Sequence, residues 1–188
     1  MEKQSLGKEA WILAALGVLA QEGVAQVRVE PLAKKLGVTK GSFYWHFTNR
    51  EDLLDALLDH WQRLATADII AHVEAAAIAP AARLERLVLL VSRSREAPNV
   101  ESAIRAWGVS DAKAQRRLSA IDEQRERYVR DLLVAHGLSL EVAARRARAL
   151  YLMMIGEFVW VSHQGQPSAP AVWREVLAMM LSLDRVAP

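Results

Sequence analysis

The stretch VTKGSFYWHFTNRE, residues 38–51, places Phe43, Tyr44, Trp45 and Phe47 within five positions, and the division of those rings between core and surface decides the fold. Thr39 can cap a short helix running through about His46. Phe43 and Phe47 then fall four apart on one face. At about 100° per residue, Trp45 lies roughly 200° round the helix from Phe43, with Tyr44 and His46 to either side. The rings cannot all be core. A phenol hydroxyl, an indole N–H and an imidazole N–H suit a surface that lies along sugar and donates to phosphate. Packing against the body of the protein is the competing use for each of the three.

Upstream, Trp11, Ala15, Val18 and Leu19 form one helical stripe, and Gly23 is a natural stop. Pro31 is tolerable only in the first turn of a second helix, whose apolar face is Leu32, Ala33 and Leu36 and whose end is Gly37. Downstream, TNRE at 48–51 matches a capping box: the Thr48 hydroxyl can accept a backbone N–H while the Glu51 carboxylate reaches back. A long helix follows, with Leu53, Leu54, Leu57, Leu58 and Trp61 as its stripe. A support helix, then two short helices across a tight LGVT turn, are the geometry of a helix-turn-helix, whose second short helix enters the major groove. Gly41 lets the backbone approach closely, and Lys40 in the first turn can reach a guanine edge.

The stretches AALGVLAQEG (14–23), PLAKKLGVTKGSFYWHF (31–47) and TNREDLL (48–54) together resemble the DNA-binding domain of the tetracycline-repressor (TetR) family over about residues 8 to 54. The shared pattern is helix, glycine, helix, G-V-S/T, Y-x-H-F and a basic residue opening the fourth helix. The resemblance implies phosphate contacts from Thr39, Tyr44, Trp45, His46 and Arg50, and base-edge contacts from Lys40, Gly41 and Ser42, on double-stranded DNA. One position departs from the pattern. Arg28 stands where the family usually has a threonine that caps the second helix, so a side chain that caps and touches phosphate gives way to one that only donates. Capping must come from elsewhere, while a phosphate contact from Arg28 can survive.

Charge distribution agrees with a basic tip. Residues 1–50 carry seven Lys/Arg against four Asp/Glu, a net +3, and residues 51–188 carry 17 against 18, a net −1. Within residues 28–50, Arg28, Lys34, Lys35, Lys40 and Arg50 oppose only Glu30. Backbone neutralisation supplies most non-specific affinity for nucleic acid. A solvated basic face has the same composition, so charge alone does not decide. Of the 188 residues 52% are hydrophobic and 24% charged, which suits a folded chain rather than a disordered one. No segment is long and apolar enough to span a bilayer, and the mixed-charge N-terminus lacks the order of a signal peptide. Zero cysteines excludes a disulfide scaffold and thiolate metal sites and fits a reducing compartment. A cytoplasmic protein with no membrane, metal or cofactor is expected.

Beyond residue 50 the family resemblance is loose and pattern must serve. Pro80, APN at 97–99, GVSD at 108–111, HGLS at 136–139 and QGQPS at 164–168 punctuate five further helices. The stripe Leu118, Ile121, Arg125, Tyr128, Leu132 gives one helix an inward face with an arginine in it. That arginine needs a partner, either a structural ion pair, Glu157 being the candidate, or a bound molecule. The segment ALYLMMIGEFVWV is apolar almost all round, and the last helix carries two stripes: Val172, Val176, Met179, Leu183 and Trp173, Leu177, Met180. A second subunit is the natural cover. Leu152, Ile155, Val159, Val172, Val176, Met179 and Leu183 are therefore expected to build a four-helix homodimer interface, which the resemblance also implies. A two-fold axis would set two recognition helices roughly 34 Å apart, suiting a pseudo-palindromic operator.

The resemblance implies an effector cavity among helices four to eight. The candidates to line it are Trp61, Trp107, Arg125, Tyr128, Tyr151, Met154 and Phe158, for which plain core is the competing reading. The expected fold is all-α, about nine helices: a three-helix helix-turn-helix DNA-binding domain over 1–48 and an effector-binding and dimerisation domain over 49–188. The expected function is a homodimeric repressor released by an unidentified small molecule. A DNA-binding regulator that is constitutive or answers to a protein partner stays open. An enzyme is not expected, since the five histidines are scattered and no HExxH, nucleophile-elbow or phosphate-loop signature is present.

Overall fold

The computed structural model describes residues 7–76, 78–93 and 97–182, with the side chains of 97 and 98 excepted. All regular structure among them is helical. The elements are α1 (Lys8–Glu22), a 3₁₀ turn (Val24–Gln26), α2 (Val29–Leu36), α3 (Lys40–Tyr44), α4 (Arg50–Gln62), a π-turn (Arg63–Ala67), α5 (Asp68–Glu74), α6 (Pro80–Ser92), α7 (Ala97–Ser110), α8 (Ala112–His136), α9 (Leu140–Gln164) and α10 (Pro170–Leu181). Since α4 and α5 run on through the π-turn, the described residues form nine rods. The all-α architecture expected from the sequence is the one observed.

The chain divides into two compact units: residues up to Leu64 with Asn99–Leu118, and Ala65–Pro98 with the residues from Ser119 onward. The core of the first is built at the N-terminal end. Trp11, Ala15 and Leu19 of α1, Val27, Leu32 of α2, Phe43, Phe47, and Leu53 and Leu57 of α4 are all buried. Trp11 meets the Phe43 ring edge-on at 5.2 Å, and Phe47 stacks on the same ring at 5.2 Å. Between α2 and α3 the chain reverses at Gly37, whose φ of 69° lies in the left-handed region. The Gly37 N–H donates to the Lys34 carbonyl and the Val38 N–H to the Ala33 carbonyl, so the turn takes up the carbonyls that the end of α2 leaves open.

Two helix boundaries differ from the sequence reading. α3 ends at Tyr44 rather than near His46, although the Phe47 N–H still donates to the Phe43 carbonyl at 3.0 Å and so keeps the two rings stacked. The cap of α4 is Asn49, not Thr48: Asn49 Oδ1 accepts from the Asp52 N–H, and the Thr48 N–H donates to Asp52 Oδ2, both at 2.9 Å. Half of the expected box forms, one residue further on: Asn49 caps the Asp52 N–H, while the Asp52 carboxylate reaches back past the cap to the N–H of Thr48. Glu51 instead points to Arg50.

In the second unit Leu84 and Val88 of α6, Leu133 of α8, Ala147, Leu150, Met154 and Phe158 of α9, and Trp173 and Leu177 of α10 form one buried cluster. The stripe read on α8 faces inward in part: Ile121 and Leu132 are buried, and Leu118, Arg125 and Tyr128 half-buried. Arg125 does not take Glu157. Its Nε donates to the buried Thr66 hydroxyl at 2.9 Å and a terminal nitrogen to the Ala65 carbonyl at 3.2 Å, within the π-turn where the backbone ladder is displaced. Both oxygens of Glu157 are engaged by Ser168, through its N–H and its hydroxyl. No helix among the described residues is long and apolar enough to cross a membrane.

Asn49→Ala is expected to lower unfolding stability by about 1 kcal/mol, while Thr48→Ala leaves it within about 0.5 kcal/mol. Urea denaturation of the two variants separates the two cap assignments.

Candidate nucleic-acid interface

With Phe43 inside, Lys40, Gly41 and Tyr44 of α3 are turned outward, as is Trp45 just past its end. Tyr44 is 55% exposed, its ring meeting Phe43 edge-on at 5.3 Å, and Trp45 is 88% exposed. Thr39, Lys40 and Gly41 are exposed, and Ser42 and His46 half-buried. An indole left almost wholly in water costs the free chain hydrophobic burial worth about 1.5–3 kcal/mol for a large side chain, so this ring is spent on something other than the core. Nothing within the molecule crowds Gly41: a Cβ there would meet only the Thr39 hydroxyl, at 3.7 Å.

The cations around this tip differ in their freedom. Lys40 Nζ pairs with Glu30 Oε1 at 2.5 Å across the turn. Lys40 raises no barrier to ionising Glu30 but favours it: the hydrogen bond and charge of the lysine hold the carboxyl below its usual range, and Glu30 holds the lysine above its own. Arg28 occupies the N-cap of α2 in extended conformation and gives no side-chain cap, as its chemistry implies. It donates instead to the Gln26 side chain. Arg50 is turned back onto the head, Nε to the Val27 carbonyl and a terminal nitrogen to the Val24 carbonyl, both at 2.6 Å. It therefore ties the 3₁₀ turn to the start of α4. Its remaining nitrogen lies 3.7 Å from Glu51.

Arg28, Thr39, Lys40, Gly41, Ser42, Tyr44, Trp45, His46 and Arg50 thus all lie in the first unit, around α3 and the flanking ends of α2 and α4. The sequence reading missed Glu30 as the partner of Lys40 and Asn49 as the cap. The first was signalled only by its being the one acid among five bases.

Trp61 and Trp107 are buried in the first unit. Tyr151, Met154 and Phe158 are buried in the second, the last two inside its main cluster. The Tyr151 hydroxyl donates to Asp122 Oδ1 and that of Tyr128 to Glu74 Oε1, each at 2.6 Å. Burial, then the bond to Glu74, pushes the Tyr128 phenol well above its ordinary value. Of the residues expected at a subunit interface, Leu152, Val159, Val172 and Met179 are exposed, Ile155 and Val176 are half-buried, and Leu183 lies outside the described residues. Met153 and Trp160 of α9, not anticipated, extend the same exposed apolar face.

A short helix delivered past a glycine turn, with an aromatic and basic outer surface and an aromatic inner one, defines a helix-turn-helix protein. Residues 12–57 match the family described as bacterial regulatory proteins, tetR family. The tetracycline repressor protein class A from transposon 1721 of Escherichia coli is 46% identical over 48 residues, which are 26% of this chain and 22% of that protein. Across the first such curated relatives the matched stretch spans between 21% and 34% of their length. Likeness in fold runs much further. The transcriptional regulator FadR from Bacillus subtilis, solved in complex with stearoyl-CoA, superposes with a TM-score of 0.71 at 18% identity, covering 94% of this chain and 98% of that one. A Saccharomonospora viridis protein solved in complex with choline gives 0.77 at 18% identity, covering 93% and 94%. Over residues 12–57, about a quarter of its length, the chain is therefore similar in sequence to the TetR family of regulators, and over nearly its whole length it shares the fold of these solved proteins.

Trp45→Ala is expected to leave the unfolding free energy within about 0.5 kcal/mol of wild type, because nothing folds onto that ring. Gly41→Ala is expected to be neutral or stabilising by up to about 1 kcal/mol. Thermal denaturation checks both, and a collapse of either variant would place these residues in the core.

Proposed function

We propose that this chain is a homodimeric transcriptional repressor of the cytoplasm that binds a pseudo-palindromic DNA operator through α2 and α3 and is released by a small molecule. In this reading residues 1–48 form the DNA-binding head and residues 49–188 the effector-binding and dimerisation part. The observation that carries it is the exposure of Trp45, with Tyr44 and Lys40, on a head whose sequence matches the family's DNA-binding segment.

Thr39, Tyr44, Trp45, His46 and Arg28 supply donors to phosphate, and Lys40, Gly41 and Ser42 face base edges. Arg50 contributes chiefly by fixing the turn at Val24–Val27 on which the head's outline depends. The apolar surface formed by Leu152, Met153, Ile155, Val159 and Trp160 of α9 with Val172, Val176 and Met179 of α10 takes a second copy, giving a four-helix contact across a two-fold axis. Two heads held in that way reach successive major grooves on one side of the duplex.

The effector acts by binding one spacing of the two heads better than the other, since only a difference in affinity shifts the balance. Candidates to meet it in the second unit are Tyr128, Tyr151, Met154, Phe158 and Arg125. Relatives in fold that hold stearoyl-CoA and choline support an organic ligand without naming one.

Fluorescence anisotropy with duplex DNA tests the DNA reading: Tyr44→Phe is expected to weaken binding to all sequences alike, whereas Lys40→Ala also relaxes base preference. Operator binding unchanged in both variants overturns it. For the assembly, Val159→Glu combined with Met179→Glu is expected to convert a dimer into a folded monomer in sedimentation velocity. A wild type that sediments as a single chain contradicts the dimer outright.

A further inference from the structure

Lys40 and Glu30 lie ten residues apart on either side of the Gly37 turn, yet Nζ and Oε1 meet at 2.5 Å with 53% and 71% of the two side chains exposed. A pair so exposed adds little to stability, because water screens it and two long side chains lose freedom in forming it. Its consequence falls on Lys40, the residue that opens the helix bearing Tyr44 and leading into Trp45.

A lysine ammonium on its four-carbon stem sweeps a wide arc and binds phosphate as a mobile point charge. Tethered to Glu30 it is aimed. The ammonium carries three donors and no acceptor, so two remain for a partner while one stays on the carboxylate. A phosphate oxygen competes with that carboxylate and is repelled by it. A base edge can satisfy both groups at once: guanine O6 and N7 accept from Lys40, and the amino group of cytosine N4 or adenine N6 donates to Glu30.

We propose that Glu30 is a specificity-determining residue, holding Lys40 off phosphate and forming with it a donor–acceptor couple that selects a guanine edge beside a base amino group. The proposal rests on the DNA-binding reading above. It gives the single acid of residues 28–50 a use that neither stability nor non-specific affinity explains.

The test starts from a random pool of duplexes from which wild-type protein selects a preferred sequence. Affinities for the selected duplex and a scrambled one are then measured over a salt series for wild type, Glu30→Gln, Lys40→Ala and the double variant. Glu30→Gln is expected to bind the scrambled duplex several-fold more tightly, with a salt slope steeper by about one. It is also expected to lose roughly fivefold or more of its preference for the selected duplex. Both changes should vanish when Lys40→Ala is also present, which a merely structural role for Glu30 would not produce. If wild type selects a sequence but Glu30→Gln alters neither quantity, or alters them equally with Lys40 absent, this proposal is overturned and the DNA reading stands. If wild type enriches no duplex at all, the DNA reading fails first.

Discussion

The burial of Phe43 is the constraint on which the head depends. Five residues of helix cannot stand alone in water, because nucleation costs more than so few hydrogen bonds return. α3 exists because one of its rings is held between Trp11 and Phe47 with no surface left exposed. Removing a buried phenylalanine costs about 3–5 kcal/mol, a large share of a small domain's stability. The same burial fixes the rotation of α3 about its own axis. Once Phe43 points in, Tyr44 and Trp45 point out, and the position of the outward surface is inherited from the core.

Around that fixed helix, polar groups take on two different kinds of work. Arg50 and Asn49 satisfy backbone groups: the arginine holds the carbonyls of Val24 and Val27, and the asparagine the N–H of Asp52 in the first turn of α4. These three bonds fasten a turn and a helix start, where an unmade bond is costly. Lys40 and Glu30 fasten nothing of that sort. Their pair lies in water, breaks at little cost, and acts on where a charge is held rather than on whether the head folds. In the second unit the division recurs between the two sides of α10, with Trp173, Leu177 and Met180 buried and Val172 and Met179 exposed.

Much of this was legible in the chain itself, for reasons particular residues make plain. The three-four spacing of Trp11, Ala15, Val18 and Leu19, and of Leu53, Leu54, Leu57, Leu58 and Trp61, is the signature of an inward helical face, and all of these are buried. Gly23, Gly37 and Pro80 mark helix ends because each favours a backbone that a helix interior does not. The cap of α4 was misplaced by one residue because T-N-R-E and N-R-E-D both satisfy the pattern, and only the backbone conformation at 48 and 49 chooses between them. The π-turn at 63–67 left no trace, since Arg-Leu-Ala-Thr-Ala is ordinary helical sequence. Without it the hydrogen-bond partners of Arg125, a carbonyl and a hydroxyl inside that turn, could not be named, and Glu157 was the reasonable wrong choice. The Lys40–Glu30 contact was out of reach for the same reason: it depends on the angle at which α2 and α3 leave Gly37.

The central claim is that the outward rings of α3 lie against a duplex in the working protein. Hydroxyl-radical footprinting read by mass spectrometry addresses it at the level of single side chains, with and without saturating duplex DNA at low salt. Tyr44 and Trp45 should oxidise readily in the free protein and be protected when duplex is added. Oxidation of Trp45 at the same rate in both samples, with duplex demonstrably bound, would contradict the account.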